Sequence, residues 1–122
     1  MVDDDPGIRS SLEKLLTTAG HAVTLAENGV EATRRWRELG ADLIILDIFM
    51  PEMDGLETLA ALLANAPRLP VIAMSDGGAG GMQLLPEAKL LGAAHTIEKP
   101  FTVGAMMRLV DTALADSQEA HA

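Results

Sequence analysis

Apolar positions along this chain recur with two different spacings, and the alternation between them predicts the architecture. Ile8, Leu12, Leu15, Leu16 and Ala19 follow an i, i+4, i+7, i+8, i+11 pattern, the stripe of an amphipathic helix. Asp5 and Pro6 stand ahead of it as N-cap and first helical residue, and Gly20 stops it. His21 to Ala26, with Val23, Thr24 and Leu25, has strand composition, and Asn28-Gly29 turns into a second helix. That helix is expected to place Val30, Thr33, Trp36 and Leu39 on its inner side and to close at Gly40. Leu43 to Leu46 is a continuous apolar run too short for a helix; it marks a buried strand that ends on Asp47.

Pro51, Asp54 and Gly55 supply turn chemistry before helical spacing resumes. The helix after Gly55 is expected to bury Leu56, Leu59, Ala60 and Leu63 and to stop near Pro67. Val71 to Met74 is a second short apolar strand, ending on Ser75. Asp76-Gly77-Gly78-Ala79-Gly80-Gly81 holds four glycines in six residues, which predicts a loop that resists ordering. A helix over Met82 to Leu91 carries Pro86, which predicts an irregular first turn, and Gly92 caps it. His95 to Glu98 forms a strand, Lys99-Pro100-Phe101 a turn, and Thr102 the N-cap of a last helix with Met106, Leu109, Val110 and Ala113 on one face. Residues 1–116 are expected to form one domain and 117–122 a disordered tail. Strands alternating with helices at this spacing predict an α/β fold, a parallel sheet with helices on both faces. Only Met1 and Val2 precede the first aspartates, so the strand that should open such a fold is largely missing at the N-terminus.

Composition narrows the function. A chain of 122 residues suits a single core, and 48 % apolar with 22 % charged residues is ordinary for a globular domain. There is no cysteine, which excludes disulfides, thiolate metal sites and a cysteine nucleophile. His21, His95 and His121 are too scattered for a metal site. No run has the length of a membrane span, and no basic-then-apolar leader is present, so a cytoplasmic location is expected. A net charge of −9 argues against nucleic acid, whose phosphates need clustered lysine and arginine. Arg34, Arg35 and Arg37 do cluster, but beside Glu31 and Glu38, which reads as a solvated helix face.

In a parallel sheet of this kind the strand ends at Asp3/Asp4, Asp47, Ser75 and Lys99 fall at one edge, where open α/β sheets bind ligands. Three acids together repel unless a cation neutralises them, and hard oxygen ligands suit Mg²⁺ better than zinc. The serine hydroxyl and lysine ammonium add what is needed to hold a phosphoryl group. These residues carry a resemblance. Val2-Asp3-Asp4-Asp5-Pro6, Leu46-Asp47 through Met53-Asp54-Gly55, Met74-Ser75 and Lys99-Pro100-Phe101, in order and over nearly the whole chain, resemble the receiver domains of two-component response regulators, the CheY-like family.

The resemblance implies a flavodoxin-like (βα)5 doubly wound sheet of strand order 2-1-3-4-5. It implies Asp47 as phosphoacceptor from a sensor histidine kinase, a histidine phosphotransfer protein or a small phosphodonor. Mg²⁺ would be held by Asp3, Asp4, Asp47 and the Phe49 carbonyl. Lys99 would offset phosphoryl charge, Ser75 would bond a phosphoryl oxygen, and the Lys99–Pro100 bond would be cis. A downstream protein target would bind the face around Leu84 to Val110, with no nucleic acid or membrane contact. The chain would be a signalling phosphoacceptor that catalyses its own transfer and dephosphorylation, not an enzyme acting on other substrates.

Three departures stand out. Thr96 replaces the family's aromatic three residues before Lys99, leaving either the glycine loop or backbone motion to carry the change of state. Phe49 and Gly77 occupy the two positions that tune phosphate lifetime, and neither can orient an attacking water, so slow self-dephosphorylation is expected. The short first strand would leave ladder groups of its neighbours unpaired, so either the sequence starts late in the fold or the domain pairs with another chain, as in a homo-oligomer. The short strand also brings the α-ammonium close to Asp3, where it could compete with the metal. The alternative function is a pseudo-receiver that binds partners without phosphorylation. A haloacid-dehalogenase-like phosphatase would need a second acid where Phe49 stands, which excludes it.

Overall fold

Capping chemistry sets where the elements stop. The computed structural model describes residues 6–22, 26, 29–48, 55–76, 84–99 and 101–121. In chain order these form α1 (Pro6–Thr18), α2 (Gly29–Leu39), β1 (Ile44–Asp47), α3 (Gly55–Asn65), β2 (Val71–Asp76), α4 (Leu84–Leu91), β3 (His95–Lys99) and α5 (Val103–His121). Gly20, Gly40 and Gly92 follow α1, α2 and α4 with φ of 97°, 71° and 117°, a left-handed backbone that glycine adopts without steric cost. After α4 the amides of Gly92 and Ala93 return to the carbonyls of Lys89 and Ala88, and the Lys89 ammonium donates to the Ala94 carbonyl at 2.7 Å. The Thr102 hydroxyl accepts from the Ala105 amide at 3.1 Å, the cap expected for α5. Pro86 sits at the third position of α4, inside the first turn, where a missing amide breaks no helical bond.

The three strands run parallel in the order β1-β2-β3. Ile44 to Asp47 pair with Val71 to Met74, and Ile72 to Asp76 with His95 to Lys99. This is the last part of the expected order 2-1-3-4-5. The first strand's residues and 23–25 of the second lie outside the described residues; Ala26, buried, makes an isolated bridge. Side chains alternate between two cores. Ile44, Leu46, Val71 and Ala73 join Ala32, Leu59, Leu62 and Ala88 of α2, α3 and α4. Ile45, Ile72 and Met74 join Leu12, Leu16, Met106, Val110 and Ala113 of α1 and α5. Both sheet faces are thus covered, as parallel strands require.

Three expectations need correction. In α2 the buried residues are Gly29 and Ala32, with Trp36 packed partly against the core, while Val30 and Leu39 are 68 % and 65 % exposed. Val30 lies about 100° round the helix from Gly29, and Leu39 belongs to the final turn, beyond the covered part of the sheet. In α3 the buried set is Gly55, Thr58, Leu59 and Leu62, and Ala60 is exposed. That helix is apolar at so many positions that periodicity alone does not select a face. Finally, α5 continues through residues 117–121, which were assigned to a disordered tail; no glycine or proline interrupts the chain after Gly104.

These burials set an order of mutational cost. Leu62→Ala is expected to cost about 2–5 kcal/mol as a buried leucine truncation. Val30→Ser and Leu39→Ser are expected to stay within about 0.5 kcal/mol of the parent, as exposed substitutions do. Denaturant unfolding followed by the fluorescence of Trp36, the single tryptophan, ranks the three.

Candidate active site at the carboxyl edge of the sheet

The apolar runs of β1 and β2 each end on a polar residue that stays buried: Asp47 at 3 % exposure and Ser75 at 0 %. Lys99 closes β3 at 8 %. Alternation along the strands places Asp47 on the side of Ile45 and Lys99 on the side of Ile97, both facing α1 and α5. Ser75 follows Met74, the register partner of Asp47, and has the parity of Val71 and Ala73, facing α3 and α4. The ladder continues past Asp47, since the Ile48 amide donates to the Met74 carbonyl at 3.0 Å.

Asp47 and Lys99 stand on strands separated by β2, about 10 Å apart at roughly 4.8 Å per strand spacing. The lysine's flexible stem spans that gap over the end of β2, and Nζ donates to Asp47 Oδ2 at 3.0 Å. Both charges are removed from water, and each compensates the other. Placing an ammonium within bonding distance of a carboxylate at a ligand-binding edge supplies a nucleophilic oxygen and a cation that can accompany charge transferred to it. A hard anionic oxygen of this kind also suits Mg²⁺.

Of the expected site residues, the structure brings Asp47 and Lys99 into contact and buries Ser75 at the same edge. Asp3, Asp4, Phe49, Gly77 and Pro100 lie outside the described residues. Among the described residues no three acids or histidines gather as a metal site. Thr96 pairs in register with Ala73 and is half-buried, and Glu98 is exposed. The sequence assigned Gly55 only to the turn and gave Ile48 no role; the structure packs their backbones together directly behind Asp47. The one hint was the short return of the chain, from a strand end to a helix whose first residue is glycine.

A parallel α/β sheet covered by helices on both faces, with an aspartate–lysine pair at its carboxyl edge, is a flavodoxin-like arrangement. The model of the response regulator receiver domain family matches residues 1–111. The chain is 37 % identical over 114 residues to the chemotaxis protein CheY of Listeria monocytogenes, covering 93 % of this chain and 94 % of that protein. It is 36 % identical over 119 residues to the DNA-binding transcriptional regulator NtrC of Escherichia coli, covering 98 % of this chain and 25 % of NtrC. The receiver domain of NtrX from Brucella abortus superposes with a TM-score of 0.86 at 29 % identity, covering 93 % of this chain and 95 % of that one. The chain belongs to the response regulator receiver domain family of two-component systems, whose members are signalling modules that interact with histidine kinases. No helix among the described residues is long and apolar enough to cross a membrane.

Removing one partner of the buried pair strands the other. Lys99→Met is expected to cost about 3–5 kcal/mol at neutral pH, because Asp47 keeps its charge without its cation. Adding Asp47→Asn to that variant is expected to restore part of the loss. Urea unfolding of the two single variants and the double variant, analysed as a thermodynamic cycle, measures the coupling.

Proposed function

We propose that this chain is a phosphorylation switch in which Asp47 accepts a phosphoryl group from a histidine kinase, a histidine phosphotransfer protein or a small phosphodonor. The observation that carries this is the buried Asp47–Lys99 pair at the carboxyl edge of the sheet, 3.0 Å between Nζ and Oδ2. An Asp47 carboxylate oxygen attacks phosphorus, the bond from phosphorus to the donor's histidine nitrogen breaks, and that nitrogen keeps the electron pair. The product is an acyl phosphate on Asp47. Lys99 balances charge on the phosphoryl oxygens, and Ser75 donates a hydrogen bond to one of them. Mg²⁺ would be held by Asp47 with Asp3, Asp4 and the Phe49 carbonyl; when bound it neutralises charge between the acids and the incoming phosphoryl group.

The readout is a protein–protein contact. The face formed by α4, β3 and α5 exposes Leu90 at 88 %, Leu91 at 46 % and Val103 at 50 %, apolar surface suited to a downstream protein partner. A cytoplasmic setting follows from that partnership with kinases, and nothing in the net charge of −9 favours nucleic acid.

Incubation with acetyl phosphate and Mg²⁺, followed by intact mass measurement, is expected to give one phosphoryl adduct. The adduct should disappear in Asp47→Asn and on addition of a chelator. A folded protein with no adduct would assign the chain to the phosphorylation-independent pseudo-receivers instead.

Once formed, the adduct is expected to decay slowly, since Phe49 and Gly77 offer no polar group to orient water. Gly77→Glu places a carboxylate there and is expected to shorten the lifetime. Loss of the native adduct as soon as donor is removed would exclude this account of its lifetime.

A further inference from the structure

We infer that Gly55 is a positioning residue for the phosphoacceptor, acting through the backbone of Ile48. This rests on the reading of Asp47 as acceptor. Gly55 is buried at the first position of α3. A Cβ there would overlap the Cα of Ile48 and lie 2.6 Å from both its carbonyl carbon and its carbonyl oxygen. The obstruction is backbone, which cannot swing aside as a flexible side chain can. Other glycines differ: Gly20 and Gly40 have nothing within 4 Å, and Gly104 would meet only the Arg108 side chain at 3.7 Å.

Ile48 is held on every side that matters. Its amide is bonded to the Met74 carbonyl, its side chain is 1 % exposed within the core of α2, α3 and α4, and Gly55 closes over its Cα. The helix that carries Gly55 is seated in turn by Thr58, Leu59 and Leu62, each at 0 % exposure. Neither partner can retreat without unseating buried groups. Strain introduced by a methyl at position 55 therefore passes to Ile48 and, one peptide away, to Asp47, whose Oδ2 must stay within reach of Lys99 Nζ. An offset of about 1 Å at a reacting group can lower a rate on the order of 100-fold.

The test compares Gly55→Ala with Leu62→Ala, a variant that removes buried volume from the same helix and adds no atom against the Ile48 backbone. Acetyl phosphate and Mg²⁺ give the phosphotransfer rate per folded molecule, and NMR of the Lys99 side-chain ammonium reports the bond to Asp47. Gly55→Ala is expected to lose on the order of 10- to 100-fold in rate and to shift or lose the Lys99 signal. Leu62→Ala is expected to keep both. Equal rates and an unmoved Lys99 signal in Gly55→Ala, or the same losses in Leu62→Ala, would overturn the inference. If Gly55→Ala does not fold, hydrogen exchange in the native protein decides. The Ile48 amide should then exchange as slowly as those of Ile45 and Leu46, and faster local opening at Ile48 would overturn the inference. A native protein that forms no adduct removes the acceptor role of Asp47, while the Lys99 signal and the Ile48 exchange still judge Gly55.

Discussion

The bond between Lys99 Nζ and Asp47 Oδ2 constrains everything around it. Two charged groups, with side chains 9 % and 5 % exposed, are buried in direct contact with each other. A lysine on β3 reaches an aspartate on β1 because the parallel ladder brings both strand ends to the same edge. The ladder sets the two ends two residues apart, Asp47 opposite Met74 and Lys99 opposite Asp76, and the lysine stem reaches back across that stagger. Replacing a buried ion pair by well-packed apolar groups is often neutral or favourable by about 1–4 kcal/mol. Stability alone therefore does not account for a carboxylate and an ammonium here. In the proposed phosphotransfer, a cation already seated against the acceptor oxygen would need no reorganisation when a phosphoryl group arrives.

The two edges of the sheet are built differently. Connections from helix to strand are short, at residues 40–43, 66–70 and 92–94. They are closed by backbone bonds such as Gly40 to Trp36, Leu69 to Ala66 and Ala93 to Ala88. Ile44 and Ala94 then enter the ladder directly through the carbonyls of Pro70 and Val71. This edge fixes where each strand starts, and hence where it ends. The opposite edge has two longer returns, 48–54 and 77–83, beside the short 100–102, and holds Asp47, Ser75 and Lys99. A rigid lower edge lets a long side chain such as Lys99 find its partner on a strand two places away.

Much of this was legible in the sequence because it depends on local rules. Four apolar residues before Asp47, glycines after α1, α2 and α4, and Thr102 ahead of α5 each act within a few residues. The pairing of Asp47 with Lys99 was legible only through the order of the motifs, since 52 positions separate them. The faces of α2 and α3 were not legible. Gly-Leu-Glu-Thr-Leu-Ala-Ala-Leu-Leu offers several apolar stripes, and periodicity chose Leu56, Leu59, Ala60 and Leu63. In the structure Gly55, Thr58, Leu59 and Leu62 are buried, Leu56 and Leu63 pack partly against the core, and Ala60 is exposed. Nothing within the helix selects that face; the approach of Gly55 to Ile48 does, and it is a tertiary contact.

The residues that break local rules gather at this same edge. Glycine in a helix is less favourable than alanine by roughly 0.5–1 kcal/mol, yet Gly55 opens α3. Lysine and aspartate are among the residue types least often buried, yet both are buried here, with Ser75 at 0 % exposure beside them. Away from this edge the chain obeys its rules closely, with apolar residues alternating into two cores and each stop placed at a cap. Local conflict concentrated in one place means that the global arrangement supplies the compensation there. The ladder holds Ile48, Ile48 meets the bare Cα of Gly55, and the aspartate beside it is left with one cation in reach among the described contacts. The sheet is thus organised to hold a charge at a set place on its carboxyl edge.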